Sequence, residues 1–311
     1  MSVPAPRVQE LAYAVVGATD VGAWEDYGRD LLGAEVVRFG DGAALRIDER
    51  PFRLAVEPAE VDGLATLGWL TADEAGLRSV AAAATERGFS VSEMDADLLA
   101  RRQVGAGITF EFTDGPLKVV QEVVVGITDA GPAALSPEVT GFVTGRQGMG
   151  HAVFACSEVD VPDALYCGTY GTSLREDIKT IVGRRGHFYA CNPRHHCAAV
   201  VEDDVPAVQH IMLEMRTFDD VGCAYDRFQK AGLETTGLGR HRTDHMFSFY
   251  VGNPGGFSFE IGTDGFQIED PDTWLDIKES SRYRAWGHQG LATHKPEEWN
   301  AKLRAAEAAE Q

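Results

Sequence analysis

Four segments of this chain repeat one plan: an apolar strand, a cluster of Thr, Ser or Asp, a helix-like stretch, and further strand-like runs. The first begins at 11–16, passes Thr19 and Asp20, and carries a helical pattern that stops at Gly33. The second begins at 64–70, has its polar cluster at 71–74 and stops at Gly88. The third opens at His151 with its cluster at 157–160; the fourth opens at His210, passes Thr217, Asp219 and Asp220, and stops at Gly232. Hydroxyl and carboxylate groups in that place accept hydrogen bonds from the free amides of a first helical turn, and glycine supplies a left-handed stop. Runs such as 43–47, 53–56, 108–112 and 257–261 read as returning strands. The repeating unit is therefore βαβββ. The predicted fold class is α+β, with four βαβββ modules paired into two similar domains, each a curled sheet forming a funnel. Gly131, Pro132 and Pro137 mark 126–138 as the connection between halves. That sets an N-terminal pair of modules at 1–134, a C-terminal pair at 139–295 and a charged, alanine-rich tail at 296–311.

The two halves can be compared residue by residue. Tyr13-Ala14-Val15 echoes His151-Ala152-Val153, and the run 110–115 echoes 259–265. Superposing Asp73–Gly76 on Asp219–Gly222 sets Leu64 opposite His210. On this reading Tyr13, Leu64 and Glu111 hold the first-half places of His151, His210 and Glu260. A lone strand histidine is ordinarily a core or surface group, and Glu260 by itself could face solvent. Together, at matching places of a repeated module, two imidazoles and a carboxylate can take one face of a six-coordinate metal and leave the other face open. That is the ligand set of non-haem Fe(II) oxygenases. One metal per chain is expected, in the second half only.

Charge and cysteines narrow the function further. A formal net charge of -20 repels phosphate backbones and argues against a nucleic-acid partner. No apolar run is long enough for a membrane span, and the start lacks the parts of a signal peptide, so the expected location is cytoplasmic. Five cysteines, all in the second half and none in a CxxC pair, read as reduced thiols. His195, His196 and Cys197 are consecutive; on a strand they would alternate faces, which argues against a shared zinc ion.

The segments GMGHAVF (148–154), NPRHHCAAV (192–200), QHIMLEMRTFDDVGCAYDR (209–227), GRHRTDHMFSFYVGNPGGFSFEIG (239–262) and RAWGH (284–288) carry a resemblance. The chain resembles type I extradiol ring-cleavage dioxygenases of the vicinal-oxygen-chelate superfamily, near the biphenyl-diol-cleaving members, and the likeness covers most of the second half. The resemblance implies a glyoxalase-like fold, Fe(II) (with Mn(II) as the other metal) on His151, His210 and Glu260, a catechol and O2 as substrates, and a homo-oligomer. It implies that His196 is the acid/base histidine, with His195 facing the other way. It also places His241, Asp244 and Tyr250 around the substrate, and it gives no chemical role to His245 or His288. The implied product is a ring-opened hydroxy-oxo-dienoate of a bicyclic or larger aromatic. Two departures stand out: the span from His151 to His210 is short, and residues 161–171, with a proline and two glycines, predict a trimmed helix. Two alternatives share the fold. One is a lyase or isomerase using Mn(II), Ni(II) or Zn(II), which leaves His196, His241 and Tyr250 unexplained together. The other is a metal-free binding protein for an aromatic compound, which has no need of all three ligands.

Overall fold

The computed structural model describes residues 7–180, 183–270 and 284–289; the expected tail at 296–311 lies outside them. The first module runs β1 (Glu10–Ala18), α1 (Val21–Asp26), β2 (Glu35–Phe39), β3 (Gly42–Arg46) and β4 (Leu54–Pro58). The second runs β5 (Gly63–Leu70), α2 (Glu74–Glu86), β6 (Ser92–Glu93), α3 (Ala96–Arg102), β7 (Ala106–Asp114) and β8 (Leu117–Val125). The third runs β9 (His151–Cys156), α4 (Asp160–Asp163), β10 (Ser173–Lys179), β11 (Arg185–Ala190) and β12 (Ala198–Glu202). The fourth runs β13 (Ala207–Glu214), α5 (Phe218–Lys230), β14 (Gly239–His241), β15 (Phe247–Gly252) and β16 (Ser258–Thr263), with β17 (Arg284–Gly287) beyond it. The four βαβββ modules are present as the repeat predicts. The exception is α3, an insertion in the second module that the pattern did not reveal.

Local chemistry explains the helix starts and stops. Asp20, Asp73 and Thr217 cap α1, α2 and α5, each accepting from an amide three residues on. The helix after β9 is not trimmed. α4 continues as π-helical turns over Ala164–Tyr170 and stops at left-handed Gly171, just as α1 continues over Tyr27–Leu32 and stops at left-handed Gly33. Gly168 is small for a reason: a Cβ there would lie 2.2 Å from Nε of Arg87 at the end of α2.

Each pair of modules makes one mixed sheet. The strand orders are β2-β3-β4-β1-β5-β8-β7-β6 and β10-β11-β12-β9-β13-β16-β15-β14-β17. The first eight places correspond one to one, so the halves share a topology. One continuous apolar core joins them. Trp24 on α1 meets Phe259 of β16 edge-on at 6.2 Å, Tyr27 packs on Phe228 of α5 at 5.5 Å, and Trp69 of β5 packs on Tyr170 at 5.0 Å. Burial of this aromatic area is the main force holding the halves together. The opposite face of the first sheet is filled by its own small cluster, including Tyr13, Val15, Phe52 and Met94. Among the described residues no helix is long and apolar enough to cross a membrane.

Candidate metal centre

Strand register brings the three predicted ligands together. His151, Met212, Glu260 and Tyr250 form one cross-strand row, and Val153, His210 and Ser258 form the next. Side chains two apart on a strand share a face. His151, His210 and Glu260 therefore all point to the face away from the shared core. Gly150 makes the entry to β9 possible: its φ is 143°, and a Cβ there would lie 1.8 Å from the Met212 carbonyl oxygen.

The ligand atoms converge closely. His151 Nε2 lies 3.3 Å from His210 Nε2 and 3.2 Å from Glu260 Oε2, and His210 Nε2 lies 3.3 Å from the same oxygen. Two imidazole nitrogens and one carboxylate oxygen in a near-equilateral triangle of this size would together hold a small transition-metal ion. The second carboxylate oxygen is held from behind. Ser248 Oγ donates to Glu260 Oε1 at 2.6 Å, and His241 Nε2 lies 3.3 Å from it. One oxygen is thus anchored while the other faces the imidazoles. Burial alone would raise the Glu260 carboxyl, but hydrogen bonds from His151, His210 and His241 outweigh it and hold it well below the usual carboxylate range. Burial also lowers His151 and keeps it neutral, as a metal ligand must be.

The other predicted residues surround this triangle. His196 stacks on His151, with ring centroids 4.0 Å apart and planes 26° apart. Burial first, then the neighbouring His151 and His195, hold its pKa well below the ordinary histidine value. Tyr250 Oη and His241 Nε2 are hydrogen-bonded at 2.8 Å, and Tyr250 stands edge-on to His210 at 5.0 Å. Asp244 Oδ1 accepts from the Met246 amide, and its Oδ2 lies 3.9 Å from His196 Nδ1. His195 does not face away from His196. The pair lies on the loop between β11 and β12, not on a strand, and their Nδ1 atoms are 3.1 Å apart.

The family model described as "Dihydroxybiphenyl dioxygenase BphC D1" matches residues 11–59. An iron-dependent extradiol dioxygenase of Rhodococcus jostii is 36% identical over 90% of this chain and 97% of its own length. A biphenyl-2,3-diol 1,2-dioxygenase of Paraburkholderia xenovorans is 35% identical over 91% of this chain and 96% of its own. The chain belongs to the extradiol dioxygenase family. A crystal structure of BphC, a halotolerant catechol dioxygenase, is 30% identical to this extradiol dioxygenase, with a TM-score of 0.84 over 93% of this chain and 97% of that one.

The sequence reading does not single out Ser248 and gives His288, at the end of RAWGH, no role, yet both stand behind Glu260 in this dioxygenase. Ser248 is fully buried behind Glu260, and His288, also fully buried, approaches the Ser248 hydroxyl with Nε2 at 3.1 Å. Because the Ser248 hydrogen goes to Glu260, His288 Nε2 must be the donor. The only sequence hint was alternation: Ser248, Tyr250 and the inward face of β15 are two apart.

The first-half comparison needs correction at two places. Tyr13 does match His151, since Tyr13 pairs with Gly68 as His151 pairs with Met212. By the same register Val15 pairs with Thr66 as Val153 pairs with His210, so Thr66, not Leu64, holds the place of His210. Gly68 pairs with Glu122 as Met212 pairs with Glu260, so Glu122 on β8, not Glu111 on β7, is the counterpart carboxylate. Glu111 is exposed. Tyr13 Oη donates to Glu122 Oε2 at 2.5 Å, and Arg102 of α3 donates Nε to the same oxygen at 2.8 Å and Nη1 to Glu57 at 2.5 Å. A guanidinium from the inserted helix supplies the positive charge that a metal would bring.

Proposed function

We propose that this protein is an iron(II) enzyme that opens the ring of a catechol with O2 in the extradiol manner, with a bicyclic or larger aromatic diol as its natural substrate. The observation that carries this reading is the convergence of His151 Nε2, His210 Nε2 and Glu260 Oε2 within 3.3 Å of one another on a buried, ionised carboxylate. Relatives at about this identity are named for biphenyl-2,3-diol and 3-methylcatechol as well as for iron dependence. Iron(II) in this ligand set supplies a chelation point for both catechol oxygens and a binding position for O2. The protein's own groups do the rest. His196, buried and kept neutral, receives the catechol proton and returns it when the ring opens. His241 and Tyr250 hold one another at 2.8 Å and offer donors to substrate oxygens. Asp244 steadies the loop beside His196 through the Met246 amide. The net charge of -20 favours a small-molecule enzyme without a nucleic-acid partner.

Anaerobic loading with Fe(II), followed by O2 uptake on 2,3-dihydroxybiphenyl and 3-methylcatechol, tests the reading. Stoichiometric O2 consumption with formation of a ring-opened product is expected, and His210→Ala should lose both iron and activity. Iron-loaded protein that binds these catechols without consuming O2 would point to a binding protein. Retention of full iron by His210→Ala would refute the ligand assignment.

A further inference from the structure

Arg194, two residues before His196, is 3% exposed, and its guanidinium reaches three other segments around the site. Nε donates to the Gln147 carbonyl at 3.3 Å, Nη2 donates to the Val143 carbonyl at 3.2 Å, and Nη1 donates to Glu214 Oε2. Gln147 lies four residues before His151, on the stretch that leads into β9. Glu214 closes β13, two residues past Met212 and four past His210, so its side chain stands on the face of the ligands. The other Glu214 oxygen accepts from the Gly265 amide at 3.3 Å, and the next amide, that of Phe266, donates to the Asp244 carbonyl at 2.7 Å. One guanidinium thus fastens the His196 loop to the approach of His151, to the strand of His210 and, through Glu214, to the backbone beside Asp244.

The loop has need of such a fastening. Residues 191–197 lie between β11 and β12, outside the strand ladders except for a single bridge from Arg194 to Gln267. A loop side chain is placed by what its loop is tied to. Arginine suits the task, because its rigid planar fork aims N–H groups at several acceptors at once, whereas a lysine ammonium is a point charge on a flexible stem. We propose that Arg194 is a positioning residue whose three-way contact fixes the loop that presents His196 to His151 and the ligand set. The catalytic value of this fastening rests on the role proposed for His196 above; the fastening itself does not.

The test uses the full-length, Fe(II)-loaded protein and the variant Arg194→Met/Glu214→Gln, each with and without His196→Ala. The pair is changed together because Arg194→Met alone strands a buried carboxylate. With His196 present, kcat on 3-methylcatechol should fall roughly 10- to 100-fold, the effect of misplacing a reacting group by about an ångström. KM and iron content should stay near wild type. In the His196→Ala background the same change should lower single-turnover ring cleavage by less than about twofold, since Arg194 acts through a group already removed. Hydrogen exchange on the same protein, held anaerobically, reads the loop without activity: amides of 192–198 should exchange faster in the double variant while β9 and β16 keep wild-type protection. Arg194→Lys keeps a cation for Glu214 but not the fork; it should fold and show a smaller loss of the same kind, and it decides if the double variant does not fold. An unchanged kcat overturns the proposal, as does an equal fall in both His196 backgrounds or a joint fall of iron content and kcat. Unchanged exchange at 192–198 overturns it too. A wild-type protein inactive on catechols would strike the proposed function and leave hydrogen exchange to judge the fastening alone.

Discussion

Replacing Ser248 with alanine should weaken iron binding without unfolding the protein. The Ser248 hydroxyl is fully buried, 2.6 Å from Glu260 Oε1, and it is the group that holds that oxygen while Oε2 faces His151 and His210. A hydrogen bond to a buried charged group is worth about 1.5–3 kcal/mol. At about 1.4 kcal/mol per tenfold, the full loss is roughly a 10- to 100-fold change in an equilibrium constant. Outer partners of metal ligands elsewhere show effects of the same size, about 10- to 100-fold in affinity. His241, 3.3 Å from the same oxygen, remains and keeps the carboxylate from swinging free, so the lower part of the range is expected. Alanine is smaller than serine and meets no steric obstacle. Anaerobic Fe(II) titration against a chromophoric chelator measures Kd, and a thermal melt of the metal-free protein controls for folding. A Kd within twofold of wild type at unchanged Tm would refute the idea that Ser248 sets the carboxylate.

Two further outcomes follow from the geometry. Arg102→Met should cost about 3–5 kcal/mol, because it strands Glu122 as an unpaired buried charge; Arg102→Met with Glu122→Gln should recover most of that in a denaturant melt, and neither variant should change iron stoichiometry. Gly150→Ala should destabilise the fold by at least ~2 kcal/mol through its 143° φ and its clash with the Met212 carbonyl, and iron occupancy should fall with it because His151 follows directly.

The repeated plan and the ligand triad were legible because strand starts, caps and glycine stops are local signals. The detailed pairing of the halves was not. Asp73 and Thr217 are the true matching caps, so superposing Asp73 on Asp219 slipped the comparison by two residues. A bulge near Leu64, matched by one at Gln209, hides the slip, and Leu64 packs into the shared core instead. Glu122 was missed because it sits inside the apolar run 119–125, which reads as plain core strand, whereas Glu111 sits in a Phe-Glu-Phe pattern that imitates Phe259-Glu260-Ile261. His195 was misplaced because the alternation rule assumes a strand, and that residue lies on a loop. His288 closes the RAWGH segment, but its role was not legible there, since its contact with Ser248 spans forty residues of chain.

The aromatic packing between halves has a bearing on how the protein is made. Trp24 and Tyr27, read early in translation, pack against Phe228, Phe257 and Phe259, which leave the ribosome some two hundred residues later. The amino-terminal half therefore waits with an uncovered aromatic surface, and the late half cannot seal the back of its own sheet alone. The sheet that carries His151, His210 and Glu260 thus takes part of its backing from Trp24 and Tyr27 of the other half.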